Sequence, residues 1–269
     1  MNKFGKIYTK LAPINFRLQK FSVFKNLNST GPQTTSEPTF ETTKLNKMNN
    51  FGKIYTTVTP TNFRLHKFSV LKNLTGVGPE TTPEFTFETA KTPEYLKKFP
   101  IGKIPGFIKD DFKLFDSSAI LLYVASHIPN TPLLGKNLEE TALINQYMFF
   151  AEAEIMPAAF IIIHQGRGVA PYNKPLFEHY EGVLRRFLTA LNTMLADKTY
   201  LVGDRLTIAD INLVCDLMWI MKFIVNPTYR EEISNVTRYF KNMIESDGFK
   251  EVFGDFEYCK ETIKPEIKE

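Results

Sequence analysis

Apolar residues in the C-terminal half of the chain recur with helical spacing. Tyr180, Val183, Leu184, Phe187, Leu188, Leu191 and Leu195 fall at intervals of three and four and make one apolar face, which predicts an amphipathic helix. A second helix is predicted from about Leu138 to Phe160. A third opens at Thr207, where Thr207 and Asp210 form a capping box and Leu206 with Ile211 can make the accompanying staple. Losing that cap is expected to cost roughly 1 kcal/mol. This third helix runs through Cys215 and Trp219 towards Phe223, is apolar on several sides, and is therefore expected to be central. A last amphipathic helix covers about Val236–Glu245, with a short turn at Phe249–Phe253.

Before Ser126 the pattern is one of short strands and turns. KIYT reads as a strand. The stretch after Pro60, with Phe63, Phe68, Val70, Leu71 and Leu74, has helical spacing, and Glu84–Thr89 alternates as a short strand. Gly106–Ile108 and Phe112–Phe115 are two apolar strands joined by the turn Asp110-Asp111, which predicts a hairpin. It ends at Asp116-Ser117-Ser118, followed by the apolar run Ala119–Val124, a helix with an acid and hydroxyls in its first turn. The segment HIPNTPLLGKN carries two prolines and a glycine and marks the boundary between the two halves.

The chain contains an internal duplication. Phe4–Lys44 matches Phe51–Lys91 at a fixed offset of 47, with 28 of 41 positions identical. Two units are too few for a solenoid. Only the second copy continues into TPEYLKKFPIGKIPGF, so residues 1–50 are expected to be an extension outside the core, leaving domains at 51–126 and 138–264. A dimer in which the first copy of one chain fills the slot of another is the less favoured alternative.

Composition narrows the class. With 269 residues, 43% of them hydrophobic, the chain can bury roughly 70–75% of its unfolded surface. The longest apolar candidate for a span, Ile155–Ile163, is too short and is interrupted by Pro157, so no membrane association is expected. The start MNKFGKIYTK has no apolar signal-peptide core, which predicts a cytoplasmic protein. Of the net charge of +4, residues 1–47 carry +6 and the remainder −2, so the globular part is not basic and strong nucleic-acid binding is not expected. Cys215 and Cys259 have neither metal-site nor disulfide-framework spacing.

The tract FPIGKIPGFIKDDFKLFDSSAILLYV holds the most specific chemistry. A helix start is an anion site, because its free N–H groups and positive dipole end favour a carboxylate, and Ser117 can donate to the same group. Were Pro105 cis, the carbonyl and N–H of Ile104 would turn out to pair with an extended peptide. This tract resembles the glutathione S-transferase family, in which the residue before a cis-proline and an acid-Ser pair hold the tripeptide glutathione. The resemblance implies a thioredoxin-like α/β N-terminal domain plus an all-α C-terminal domain. It also implies a glutathione-type pocket at Lys103, Ile104, Pro105, Asp116 and Ser117, with glutathione as ligand or substrate and no metal.

In the helical half, GDRLTIADINL is similar to a folding motif of most such transferases. FFAEAEIMPAA and VCDLMWIMKFIVNPTYREEISNVTRYFKNMI look like the gamma subunits of translation elongation factor 1, as do FGKIYT, TPEYLKKFPIGKIPGF and LFDSSAILLYVA. That narrower resemblance implies a scaffold in translation elongation that binds the nucleotide-exchange subunit; a homodimer is a further state it admits. Members of that group carry a Lys-rich linker and a further C-terminal domain, whereas this chain stops at KPEIKE, which suggests a truncated or divergent member. The usual Glu before the Ser is Asp116 here, one methylene shorter. An active transferase conjugating glutathione to small electrophiles is the alternative.

Transferase catalysis needs a hydroxyl near the first helix start to lower the thiol pKa. Only Thr57, Thr59 and Thr61 are candidates there, and threonines are also common turn residues, so conjugation is expected to be slow or absent. Asp116-Ser117 reads equally well as a structural cap, and Lys103 as a solvated lysine. Glu152 and Glu154, at i and i+2, point apart and are not expected to form a catalytic pair. His66, His127, His164 and His179 are expected to be ordinary. Tyr229-Arg230 and Tyr239-Phe240 are either partner contacts or, as aromatics at helical spacing more often are, core.

Overall fold

The computed structural model describes residues 51–59, 62–82 and 84–265; the first copy of the duplication, expected to be an extension, lies outside these residues. β1 (Lys53–Tyr55) buries Ile54 and runs into α1 (Phe63–Thr75), after which the chain returns as β2 (Glu80–Thr81), parallel to β1 with Lys53 opposite Glu80. The alternation at Glu84–Thr89 does not form the expected strand. Glu84 has φ +58°, outside the extended region, and Phe85 turns inward to join an aromatic cluster with Tyr55, Tyr95 and Phe99. A 3₁₀ turn at Thr89–Lys91 then leads into α2 (Pro93–Lys98), capped by Thr92.

The hairpin forms as its sequence suggests: β3 (Gly106–Lys109) and β4 (Phe112–Phe115) pair antiparallel, with Asp110 supplying the positive φ of a two-residue turn. The sheet order is β2-β1-β3-β4, and α3 (Ser117–Ser126) follows β4 directly. Ile120, Leu121 and Val124 of α3 are fully buried, each contributing on the order of 1.5–3 kcal/mol of burial.

The second half is helical: α4 (Leu138–Phe149), α5 (Met156–Gly166), α6 (Lys174–Met194), α7 (Ile208–Phe223), α8 (Pro227–Glu232), α9 (Ser234–Ile244) and α10 (Lys250–Phe253). The helix expected at Leu138–Phe160 extends to Gly166 and contains a π segment, Phe150–Ile155, in which Met156 N–H donates to Ala151 carbonyl. Pro157 has no N–H and cannot continue the i→i−4 ladder, so the register widens just before it. By length and composition the run Leu138–Gly166 could cross a membrane, yet half of its most apolar window is buried inside this fold. α7 is central as expected, with Ile208–Leu213 and Val214–Met218 buried. A single buried cluster joins both halves: Phe63 of α1 meets Phe160 of α5 and Trp219 of α7 at ring distances of 5.9 and 5.4 Å.

Candidate functional site

Sheet register assembles the site. Gly106 is paired on one side with Phe115 of β4 and on the other with Tyr55 of β1. Phe115 precedes Asp116, and Tyr55 precedes Thr56. The Ile104-Pro105 step just before Gly106 therefore lies beside the start of α3 on one side and the start of the β1–α1 loop on the other. That step is a cis peptide bond. Pro105 is buried, Ile104 half-buried and Lys103 exposed. Among the described residues, no hydrogen bond or ion pair ties the Lys103 side chain to the rest of the site.

Asp116 has φ +74°, and its Oδ1 accepts from the N–H groups of Ser118 and Ala119, both at 3.0 Å. Its carboxylate thus caps α3 and complements the helix dipole. Two of the helix-start donors are used in this way, so α3 offers an incoming anion less than a bare helix start would. The carboxylate retains acceptor capacity, and Ser117, buried in the first turn, supplies the hydroxyl. An acceptor beside a donor suits the ammonium and carboxylate of a single amino-acid terminus.

Among the threonines, Thr57 is buried and its Oγ1 accepts from the Asn62 side-chain amide at 3.1 Å; that amide also reaches Thr56 Oγ1 and the Thr57 carbonyl. Thr57 keeps its own hydroxyl proton to donate. Thr59 is exposed, with its carbonyl accepting from Asn62 N–H, and Thr61 lies outside the described residues. Asn62 is a site residue that the motif reading passed over. Its side-chain Oδ1 also accepts from Leu65 N–H and caps α1, and an Asn just ahead of the apolar run NFRL was the signal for it.

Ser118, the residue after Ser117, reaches a buried charge network that was likewise not anticipated. Lys67 of α1, wholly inaccessible, places Nζ 2.5 Å from Glu152 of the π segment and 2.9 Å from Asp216 of α7. Ser118 Oγ lies 2.6 Å from Glu152 Oε1 and 2.7 Å from Asn212 Oδ1, and Asn212 Nδ2 donates to Asp216 Oδ2. Burial opposes the charge on Lys67, but Asp216 and Glu152 together outweigh it and hold the ammonium above its usual pKa. Burial carries Asp216 up to about 7 against the pull of Lys67. Glu152 therefore has a structural partner in Lys67, and Glu154 faces away from it at the surface.

Tyr229, Tyr239 and Phe240 prove to be core residues. Both cysteines are free and buried. His66 packs edge-on against Phe253, and burial lowers its pKa to about 4. The folded protein therefore keeps His66 neutral while the unfolded chain takes up a proton below about 6.5. Stability contributed by this group is complete above pH 6.5 and is lost as pH falls towards 4, by about 2–3 kcal/mol at pH 4.5. Urea unfolding at pH 7.5 and pH 4.5 checks this. The loss should be clearly smaller in His66→Gln, and an equal loss in both proteins would remove His66 as its source.

Comparison with known proteins adds to this geometry. Residues 51–126 match the N-terminal domain of glutathione S-transferases and residues 150–247 the C-terminal domain. The chain is 37% identical over 178 residues to elongation factor 1-gamma of Sus scrofa and 36% identical over 179 residues to that of Homo sapiens; each match covers 66% of this chain and 40% of the relative. The chain thus spans about two fifths of the length of these relatives. Among solved structures, the GST-like domain of elongation factor 1-gamma from Saccharomyces cerevisiae superposes with a TM-score of 0.69 at 20% identity, covering 80% of this chain and 99% of that one. A glutathione transferase from Phanerochaete chrysosporium in complex with oxidized glutathione superposes with a TM-score of 0.68 at 21% identity, covering 76% of this chain and 94% of that one. At these identities the two structures speak to the fold.

Proposed function

Because the chain belongs to the glutathione S-transferase family, with both of the family's domains in order, we propose that it uses this fold as a scaffold in translation elongation, in the manner of elongation factor 1-gamma. Its partner in this reading is the nucleotide-exchange subunit of the elongation factor 1 complex, in the cytoplasm. The observation that carries the reading is the 36–37% identity to elongation factor 1-gamma over 178–179 residues, about two thirds of this chain. Mixing the full chain with the purified exchange subunit and analysing the mixture by size-exclusion chromatography tests it. One co-eluting complex is expected, and separate elution at micromolar concentrations of both would overturn it.

A second reading, glutathione binding with little turnover, is favoured by the register that sets Ile104-Pro105 beside Asp116 and Ser117. Here Asp116 receives the ammonium of the ligand and Ser117 its carboxylate, while the backbone of Ile104 pairs with the ligand's peptide group. In this reading Thr57 is the hydroxyl that meets the ligand's thiol. A neutral threonine anchored by an amide supplies little of the roughly 1.4 kcal/mol that each unit of thiol pKa lowering requires. A hydrogen bond to a charged group is worth about 1.5–3 kcal/mol, so Ser117→Ala is expected to weaken glutathione binding at least about 10-fold in calorimetry. Equal affinity in both proteins would take Ser117 out of the site.

A further inference from the structure

Resting on the glutathione-type reading of this site, we propose that the Tyr95 hydroxyl is a positioning group that aims the Ile104 N–H at the backbone of the bound peptide. Tyr95 lies on α2 and is almost wholly buried, and its hydroxyl donates to the Lys103 carbonyl at 2.8 Å. That carbonyl and the Ile104 N–H belong to one planar peptide group and point in opposite directions. Fixing the oxygen therefore fixes the direction of the N–H. The same hydroxyl reaches the far side of the Ile104-Pro105 step: a Cβ added to Gly106 would lie 2.7 Å from it. One side chain thus brackets the ligand-facing step from both ends.

The Tyr95 ring is itself held on three sides, by Phe99, Phe85 and Tyr55 at ring distances of 5.0, 5.1 and 6.2 Å. This aromatic group is separate from the main core and includes Ile104 at its edge. Burial pushes the phenol up to about 12, so it remains a donor throughout the neutral range. Lys103 and Ile104 belong to a connecting segment outside the sheet, and a segment of that kind needs such an anchor to hold one orientation.

The test compares the full-length wild type with Tyr95→Phe, which keeps the ring and removes the hydroxyl. Phe99→Leu serves as a control that loosens the same cluster and leaves the hydroxyl in place. Glutathione affinity is measured by calorimetry, and the Ile104 amide is followed by NMR on isoleucine-labelled protein, with Ile104→Val giving the assignment. Tyr95→Phe is expected to bind glutathione about 3- to 10-fold more weakly, with a diminished Ile104 amide shift on ligand addition. Phe99→Leu, which removes one of the rings that hold Tyr95 but keeps its hydroxyl, should lower the unfolding temperature and weaken binding less than Tyr95→Phe does. Equal binding by wild type and Tyr95→Phe, or equal weakening in Phe99→Leu, overturns the role of the hydroxyl and leaves the site itself standing. A wild type that shows no binding overturns both.

Discussion

Replacing Lys67 with methionine is expected to cost the folded state about 3–5 kcal/mol, a fall of roughly 10 °C in the unfolding temperature for a protein of this size. Methionine fills most of the same volume, so the loss is electrostatic rather than a cavity effect. Without the ammonium, Asp216 must either keep a buried charge with only the Asn212 amide to support it or take up a proton, and Glu152 loses its 2.5 Å partner, so the network is broken either way. Uncompensated burial of charge is among the few single-residue changes that reach this magnitude. The three charged residues come from α1, the π segment and α7, so both halves of the molecule should weaken together. The triple variant Lys67→Met, Glu152→Gln, Asp216→Leu should recover most of the loss, because a buried ion network exchanged for apolar groups is often neutral or stabilising. Chemical denaturation decides the matter: a loss below about 1 kcal/mol in the single variant would show that water or relaxation satisfies the two carboxylates.

The importance of Lys67 could have been read from the sequence, in retrospect. It lies four residues after Phe63 and four before Leu71, inside the apolar stripe of α1, and Asp216 interrupts the otherwise apolar run LVCDLMWI of α7. A lysine and an aspartate each set where a hydrophobe should be are a complementary pair, but only the tertiary packing of α1 on α7 shows that they meet. Glu152 was harder to find, because the π segment changes which residues of that helix face inward, and a 3.6-residue period does not follow such a shift.

Other features were legible because they are local. The Asp110-Asp111 turn, the Asp116 cap and the Thr207–Asp210 box each need only a few adjacent residues, and each is found where its motif predicts. β2 was not legible: two residues carry no periodicity, and Glu80–Thr81 becomes a strand only because β1 offers a parallel edge. The false strand at Glu84–Thr89 has the converse cause, since its alternation reflects one residue, Phe85, turning into an aromatic cluster. Within the site, motif spacing pointed to Ile104, Pro105, Asp116 and Ser117, and register brings them side by side. Asn62 and Tyr95 act on that site through hydrogen bonds to its backbone and hydroxyls, contacts for which a linear motif holds no sign.

Asp210→Ala is expected to destabilise the protein by about 3 kcal/mol or more, well beyond the roughly 1 kcal/mol of an ordinary helix cap. The cap is only part of what this carboxylate does. Asp210 Oδ2 accepts from both the backbone N–H and the hydroxyl of Thr207, at 2.8 and 2.9 Å. Its Oδ1 accepts from Leu201 N–H and from the Tyr239 hydroxyl, both at 2.9 Å. Asp210 is fully buried, so alanine strands four donors at a point where water does not reach. The carboxylate therefore joins the start of α7, the loop before it and α9. Tyr239→Phe removes one of the four donors along with its partner contact and should cost about 1 kcal/mol. In the double variant the two losses should fall short of adding, by on the order of 0.5–1 kcal/mol, because the hydrogen bond can be removed only once. Strict additivity in urea unfolding would mean that Tyr239 and Asp210 act independently, and a total loss near 1 kcal/mol for Asp210→Ala would reduce the residue to a cap.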